Sequence, residues 1–164
     1  MVKKTLISAS VILSLALGMA VCQSSGKETS HIEDLFEIRT SITNQGKILP
    51  ELIRKAYSND LRTLERIFEL NTSAVTTIEA YFRILKIALS SNMESDPETV
   101  EIMNGWLTFI NNQCSYDIEY LDEALNETTN AEVIEQLNTA RDNVKRLATI
   151  SEKGILENAA GETL

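Results

Sequence analysis

Apolar residues recur at alternating steps of three and four along most of the chain between His31 and Lys153. This spacing places them on one stripe of an α-helix, whereas the strict alternation typical of a half-buried strand is absent. The first such segment runs from His31 to Tyr57 and the second from Asp60 to Ser90. Their stripes are Leu35, Ile38, Ile42, Gln45, Leu49, Leu52 and Ala56, followed by Leu61, Leu64, Phe68, Asn71, Val75, Ile78, Phe82, Leu85 and Leu89.

Residues that start or interrupt helices divide the pattern further. Gly46 and Pro50 predict a kink or a brief break in the first helix, because proline lacks a backbone donor and clashes with the preceding turn. The sequence Ser95-Asp96-Pro97-Glu98 predicts the start of a third helix, since it offers a capping side chain followed by a proline in the first turn. The third stripe is Val100, Met103, Leu107, Ile110, Cys114, Asp117, Leu121 and Ala124.

A fourth helix is predicted from about Ala131 to Lys153, after the polar cluster 126–130. Its stripe is Val133, Leu137, Ala140, Val144 and Leu147. Gly154 and the small residues that follow it predict a frayed C-terminal tail over residues 154–164. Because connections of two to six residues favour antiparallel neighbours, the expected fold is an all-α, up-down antiparallel four-helix bundle over residues 31–153, packed in the manner of a coiled coil.

The start of the chain is typical of a signal peptide. Lys3 and Lys4 supply its positive region, and residues 6–20 form an apolar run of fifteen residues. A membrane-spanning helix needs about 20 such residues, so this run predicts export rather than a membrane span. We expect residues 1–21 to be cleaved from the mature protein.

Two kinds of cleavage fit the end of this signal. Gly18-Met19-Ala20 places small residues where a general signal peptidase requires them, and a cut before Val21 would release a soluble periplasmic or secreted protein. Alternatively, Cys22 and the polar residues 23–30 resemble the acylated cysteine and flexible tether of a bacterial lipoprotein, although Val21 stands where such signals usually carry a small residue. The resemblance implies lipidation at Cys22, a tether over residues 22–30 and a membrane-anchored envelope protein.

Charge limits the choice of partner. Without Lys3 and Lys4 the chain carries 13 basic and 24 acidic side chains, a formal charge of −11. Such a surface repels polyanions, so nucleic acid is not an expected partner and a basic protein is the better match.

Four polar side chains are predicted to lie at a similar height in the bundle. Gln45, Asn71 and Asp117 interrupt otherwise apolar stripes, and Arg141 lies just beside the fourth stripe. At 1.5 Å per residue, the predicted topology brings them to one level. They could form a buried polar layer that fixes the register of the helices, or a small polar pocket that binds a ligand.

The chain carries no recognisable motif for catalysis, metal binding or cofactor binding. The one histidine, His31, is expected to be a helix-start residue rather than a metal ligand. Paired Glu-x-x-His motifs, Cys-x-x-Cys motifs and a nucleophile motif for a catalytic triad do not occur. We therefore expect a protein that is not an enzyme and that needs no metal or cofactor.

Two further features of the third helix have alternative interpretations. Cys114 is expected to be a buried thiol if Cys22 is acylated, whereas an unmodified Cys22 could reach it and form a disulfide. Aromatic residues flank the third stripe and are expected to widen its buried face rather than to bind a ligand. These aromatic residues are Trp106, Phe109, Tyr116 and Tyr120.

Two functions follow as expectations. The first is an exported, non-enzymatic helical protein of the cell envelope, a lipoprotein that acts by binding another protein through a helix face or its acidic surface. The second is a periplasmic bundle that binds or senses a small molecule near the polar layer.

Overall fold

The computed structural model describes residues 30–159, and within this range it contains four α-helices and no strand. They are α1 (Ser30–Lys55), α2 (Ser58–Ser90), α3 (Pro97–Glu127) and α4 (Ala131–Ala159). The predicted all-helical class and the four helices are therefore confirmed. The predicted signal, Cys22 and the tether up to residue 29 lie outside the described residues. Among the four helices, none has the length and apolar character required to cross a membrane.

Neighbouring helices run in opposite directions around the bundle. α1 packs against α2 and α4, α3 packs against the same two helices, and α2 also meets α4 across the centre. Side-chain contacts join the start of one helix to the end of another, or to the link that follows it. They include Asp34–Lys153, Phe36–Phe82, Asp60–Asn130 and Asn104–Asn158.

The links between helices carry the capping groups that the backbone requires. Asp96 accepts a hydrogen bond from the Thr99 backbone N–H at 3.0 Å, and Pro97 follows as the first helical residue of α3, as predicted. The Glu132 backbone N–H donates to Asn130 Oδ1 at 3.1 Å at the start of α4. These bonds satisfy amide groups that a helix cannot satisfy internally.

Of the kink or brief break predicted in α1, the break is wrong, because the helix continues through Gly46 and Pro50 to Lys55. Pro50 is exposed, whereas Leu49 beside it is fully buried. Packing on the inner side therefore holds the helix across the proline, and the missing backbone donor is on the side that faces solvent.

The buried face of α2 is turned relative to the predicted stripe. Phe68 is 40% exposed, whereas Ile67 and Tyr81 are fully buried. α2 carries apolar residues on two adjacent heptad lines, and a helix that contacts several neighbours buries a face wider than one line. The heptad spacing alone did not distinguish which of these lines faces the centre.

α4 extends six residues beyond the predicted end at Lys153 and reaches Ala159. Gly154 is buried inside this helix rather than starting a frayed tail. The difference arises because tertiary packing on the last two turns outweighs the low helix propensity of glycine. Residues 160–164 lie outside the described range.

Candidate functional site

A cluster of buried amides occupies the middle of the bundle. Gln45 Nε2 donates to the Gln136 carbonyl oxygen at 2.7 Å and also lies 3.3 Å from Gln136 Oε1. Asn71 Nδ2 donates to Gln45 Oε1 at 3.1 Å. All three residues are buried. Gln45 thereby links α1 to both α2 and α4 at one level.

The same cluster continues towards α4 through Asn143. Asn143 Nδ2 approaches Gln45 Oε1 at 3.5 Å, and Asn143 Oδ1 accepts from the Ser41 hydroxyl at 2.8 Å. Both polar ends of Gln45 are therefore occupied by protein groups. We call Ser41, Gln45, Asn71, Gln136 and Asn143 the amide cluster.

Only two of the four residues predicted for a polar layer belong to the amide cluster. Gln45 and Asn71 meet as described, whereas Asp117 accepts a hydrogen bond from Gln113 on its own helix at 3.0 Å. Arg141 pairs with Asp122, with Nε and Oδ1 2.5 Å apart, near the outer side of α3 and α4.

Sequence reasoning missed Gln136 and Asn143 as partners of Gln45. They are seven residues apart, and each directly precedes an apolar residue of the fourth stripe, Leu137 and Val144. That repeated flanking position was the available signal, because residues seven apart share one side of a helix.

Asp117 and Cys114 share a buried part of α3. Burial raises the pKa of Asp117, while the Gln113 hydrogen bond and the charge of Arg66 act in the opposite direction. Burial also raises the pKa of the Cys114 thiol to about 12, and the nearby Asp117 carboxylate adds to the shift. Cys114 is therefore a protonated, unreactive thiol at neutral pH.

A second polar cluster, which the spacing of apolar residues did not predict, lies where α1 begins. His31 is fully buried, with Nδ1 2.5 Å from Glu157 Oε2 and Nε2 3.1 Å from the Tyr81 hydroxyl. Because a carboxylate only accepts, His31 Nδ1 donates to Glu157, while Nε2 forms a hydrogen bond with the Tyr81 hydroxyl. Burial and the Glu157 charge both raise the pKa of Tyr81, which keeps its proton available.

Space for this histidine is made by Gly154. A Cβ atom at residue 154 would lie 3.0 Å from His31 Cδ2 and 2.9 Å from Leu107 Cδ1. Glycine thus leaves room for α4 to pass this close to the ring, whereas a Cβ atom would require His31 and Leu107 to shift. His31 lies four residues before Leu35, so extending the first stripe by one step would have placed it inside the bundle.

The order of carboxylate, imidazole and hydroxyl in this cluster is superficially that of a catalytic triad. However, His31 and Tyr81 are fully buried in the described bundle, so neither ring is open to solvent. Within residues 30–159, no three His, Cys, Asp or Glu side chains are arranged to hold a metal ion. The hydrogen bonds of this cluster attach the start of α1 to the C-terminal parts of α2 and α4.

The outer side of α3 presents apolar side chains to solvent. Ile102, Phe109 and Tyr116 are 49%, 52% and 71% exposed. They repeat every seven residues and so form one line, which we call the exposed row. Trp106 and Tyr120 beside it are half-buried against the core. The expectation that all four aromatic residues widen the core therefore holds for Trp106 and Tyr120 and is wrong for Phe109 and Tyr116.

A shallow, open depression of about 430 Å³ lies on the outer surface of α2. It is lined by Phe68, Glu69, Thr72, Ser73, Thr76 and Thr77. None of these side chains belongs to the amide cluster or to the His31 cluster, so this depression gives no access to either.

Comparisons with protein-family models, with curated proteins and with solved structures found no match to this chain. Any assignment of function therefore depends on the residues and geometry described above.

Proposed function

We propose that this chain is an exported, non-enzymatic helical protein of the bacterial cell envelope that binds another protein through α3. The observation that carries the proposal is the exposed row. Exposed aromatic side chains aligned on one helix face are typical of protein-binding surfaces, since aromatic residues contribute much of the binding energy at interfaces.

The envelope location is supported by the sequence of the leader. A positive region, an apolar run and Cys22 followed by polar residues together favour export and lipidation. We propose that acylated Cys22 anchors the bundle to a membrane, with the tether leaving α3 free to meet its partner. The intact mass of the protein from membrane fractions of the native host tests this. A mass that begins at acylated Cys22 supports the anchor, whereas a soluble form that begins at Val21 refutes it.

Binding of a small molecule has less support. Gln45, the centre of the amide cluster, already uses both ends of its amide within the protein. The described depression lies on another surface. The amide cluster is better explained as a register device, because only the correct alignment of helices satisfies its hydrogen bonds.

Site-specific photo-crosslinking tests the protein-binding proposal. A benzophenone amino acid replaces Tyr116 in the exposed row, and in a matched chain it replaces Tyr57, which is 83% exposed in the link between α1 and α2. The proposal predicts a defined protein adduct from position 116 that position 57 does not give. Identical adducts from both positions, or none from position 116, would refute it.

A further inference from the structure

Basic side chains are distributed unevenly among the four helices. α1, α2 and α4 each carry four lysine or arginine residues, whereas α3 carries none. α3 carries seven carboxylates instead. They are Glu98, Glu101, Asp117, Glu119, Asp122, Glu123 and Glu127.

Most of these carboxylates are not neutralised by the bundle. Asp117 is buried and Asp122 pairs with Arg141. The other five are exposed and form no ion pair with any side chain in the described part of the chain. Their negative charge is therefore available to a partner.

The charges bracket the exposed row. Glu98 lies four residues before Ile102, and Glu119 lies three residues after Tyr116, so each is a neighbour of one end of the row. Glu123 continues the line of the row by another seven residues. The row itself spans fourteen residues from Ile102 to Tyr116, about 21 Å along the helix axis.

We infer that the exposed row binds an amphipathic helix of another protein, with lysine or arginine residues flanking its apolar face. This inference rests on the proposed protein-binding function and adds the chemistry of the partner. A partner helix of about four turns covers the row, and its basic residues meet the carboxylates at the ends.

The carboxylates of α3 also disfavour two other occupants of the exposed row, a second copy of this chain and an anionic membrane surface. Antiparallel pairing of α3 with a second copy would place Glu98 of one chain near Glu119 of the other, with no cation on either helix to compensate. An anionic membrane surface would meet the same carboxylates and be repelled. A basic amphipathic helix fits both features, because its apolar face covers the exposed row and its cations meet the surrounding carboxylates.

Trp106 provides a direct reporter, because it is the only tryptophan in the chain and its ring contacts Phe109 edge-on at 5.9 Å between centroids. The purified chain is titrated with a helical peptide of about 20 residues, with leucine on one face, flanking lysines and no aromatic residues. A matched peptide carries glutamate in place of lysine. We expect a saturable change in Trp106 emission with the lysine peptide only, and weaker binding as salt increases.

Paired charge reversals locate the contact. Replacing Glu119 and Glu123 by lysine is expected to raise the peptide Kd about tenfold, since each rim charge contributes modestly. The same reversal at Glu65 and Glu135, which are exposed on α2 and α4, leaves the Kd unchanged.

Three results of the peptide titration would overturn the inference: no emission change with the lysine peptide, equal binding of both peptides, or equal loss in both reversed chains. A defined adduct from position 116 in the host, combined with any of these results, would leave the protein-binding function standing and refute the basic helix. Concentration-dependent self-association through the row would identify a second copy as the occupant and also refute it.

Discussion

At the scale of single residues, His31 shows how one side chain connects three helices. It lies on α1, and its two ring nitrogens contact Glu157 of α4 and Tyr81 of α2. The buried ring packs against Gly154 on the neighbouring α4, where a Cβ atom would lie 3.0 Å from His31 Cδ2. This residue pair makes the C-terminal turns of α4 part of the bundle.

Replacing Gly154 with alanine is expected to destabilise the protein by about 1 kcal/mol. Overpacking a buried contact typically costs about 1–3 kcal/mol, which outweighs the gain of roughly 1 kcal/mol in helix propensity. Urea unfolding followed by circular dichroism measures the change. Gly46→Ala is the matched control, since a Cβ there meets no atom within 4 Å, and it is expected to stabilise by about 0.5–1 kcal/mol. Stabilisation by both substitutions would show that Gly154 is not needed for the close approach.

Asp117→Asn is expected to raise the melting temperature at pH 7. Because burial raises the pKa of Asp117, the folded protein holds this proton more tightly than the unfolded chain does. Protonation of Asp117 therefore stabilises the folded protein fully below the ordinary pKa of 3.8. This stabilisation is lost as the pH rises through the raised pKa. The asparagine form avoids that loss and keeps an oxygen that can accept from Gln113.

Thermal unfolding across pH 3–8 follows this difference, with the exposed Asp142→Asn as the control that leaves the melting temperature unchanged. The stabilisation of Asp117→Asn should shrink as pH falls and disappear near pH 3. A difference that is constant across pH, or of opposite sign at pH 7, would contradict a burial cost at Asp117.

At the scale of helices, the amide cluster fixes how α1, α2 and α4 align. Gln45→Leu is expected to cost about 2 kcal/mol, because Asn71, Gln136 and Asn143 all lose a buried partner. Asn71→Leu should cost less, since Gln45 Oε1 keeps its contact with Asn143. Chemical unfolding compares the two chains. Equal or greater stability for Gln45→Leu would show that the hydrogen bonds of the cluster contribute no net stability.

Much of the helical architecture could be predicted from the spacing of apolar residues, whereas the hydrogen-bond partners of the buried polar residues could not. The polar positions Gln45 and Asn71 stood out because they interrupt apolar stripes, and antiparallel geometry places them together. Asp117 interrupts a stripe in the same way, yet its partner is Gln113, one turn away on its own helix. A local hydrogen bond within a helix needs no alignment between helices, and spacing cannot distinguish it from a contact across the bundle.

On α3, the spacing of apolar residues likewise does not determine which of them are buried. Trp106 and Phe109 are three residues apart, and spacing alone assigned both to the core. Trp106 is partly buried against the core, whereas Phe109 is 52% exposed. How far the buried face extends depends on the distance to α2, which is a property of the packed bundle rather than of one helix.

At the scale of the whole molecule, stability and binding are assigned to different surfaces. The core, the amide cluster and the His31 cluster hold the four helices together, whereas the exposed row and the carboxylates around it contribute little to that packing. Replacing Phe109 and Tyr116 together by serine is expected to lower the free energy of unfolding by about 1–2 kcal/mol in all, chiefly because the ring contact of Phe109 with Trp106 is lost, and to leave the bundle folded. Urea unfolding of this double variant checks that the fold is retained.

The most direct measurement is the crosslinking yield in the native host from a photoreactive residue at Asn112, which is exposed on α3, with and without the double serine substitution. We expect a protein adduct in the parent chain and a loss of about tenfold or more in the variant, with the fold retained. An adduct yield that is the same in both chains would contradict the claim that this protein acts through the exposed row of α3.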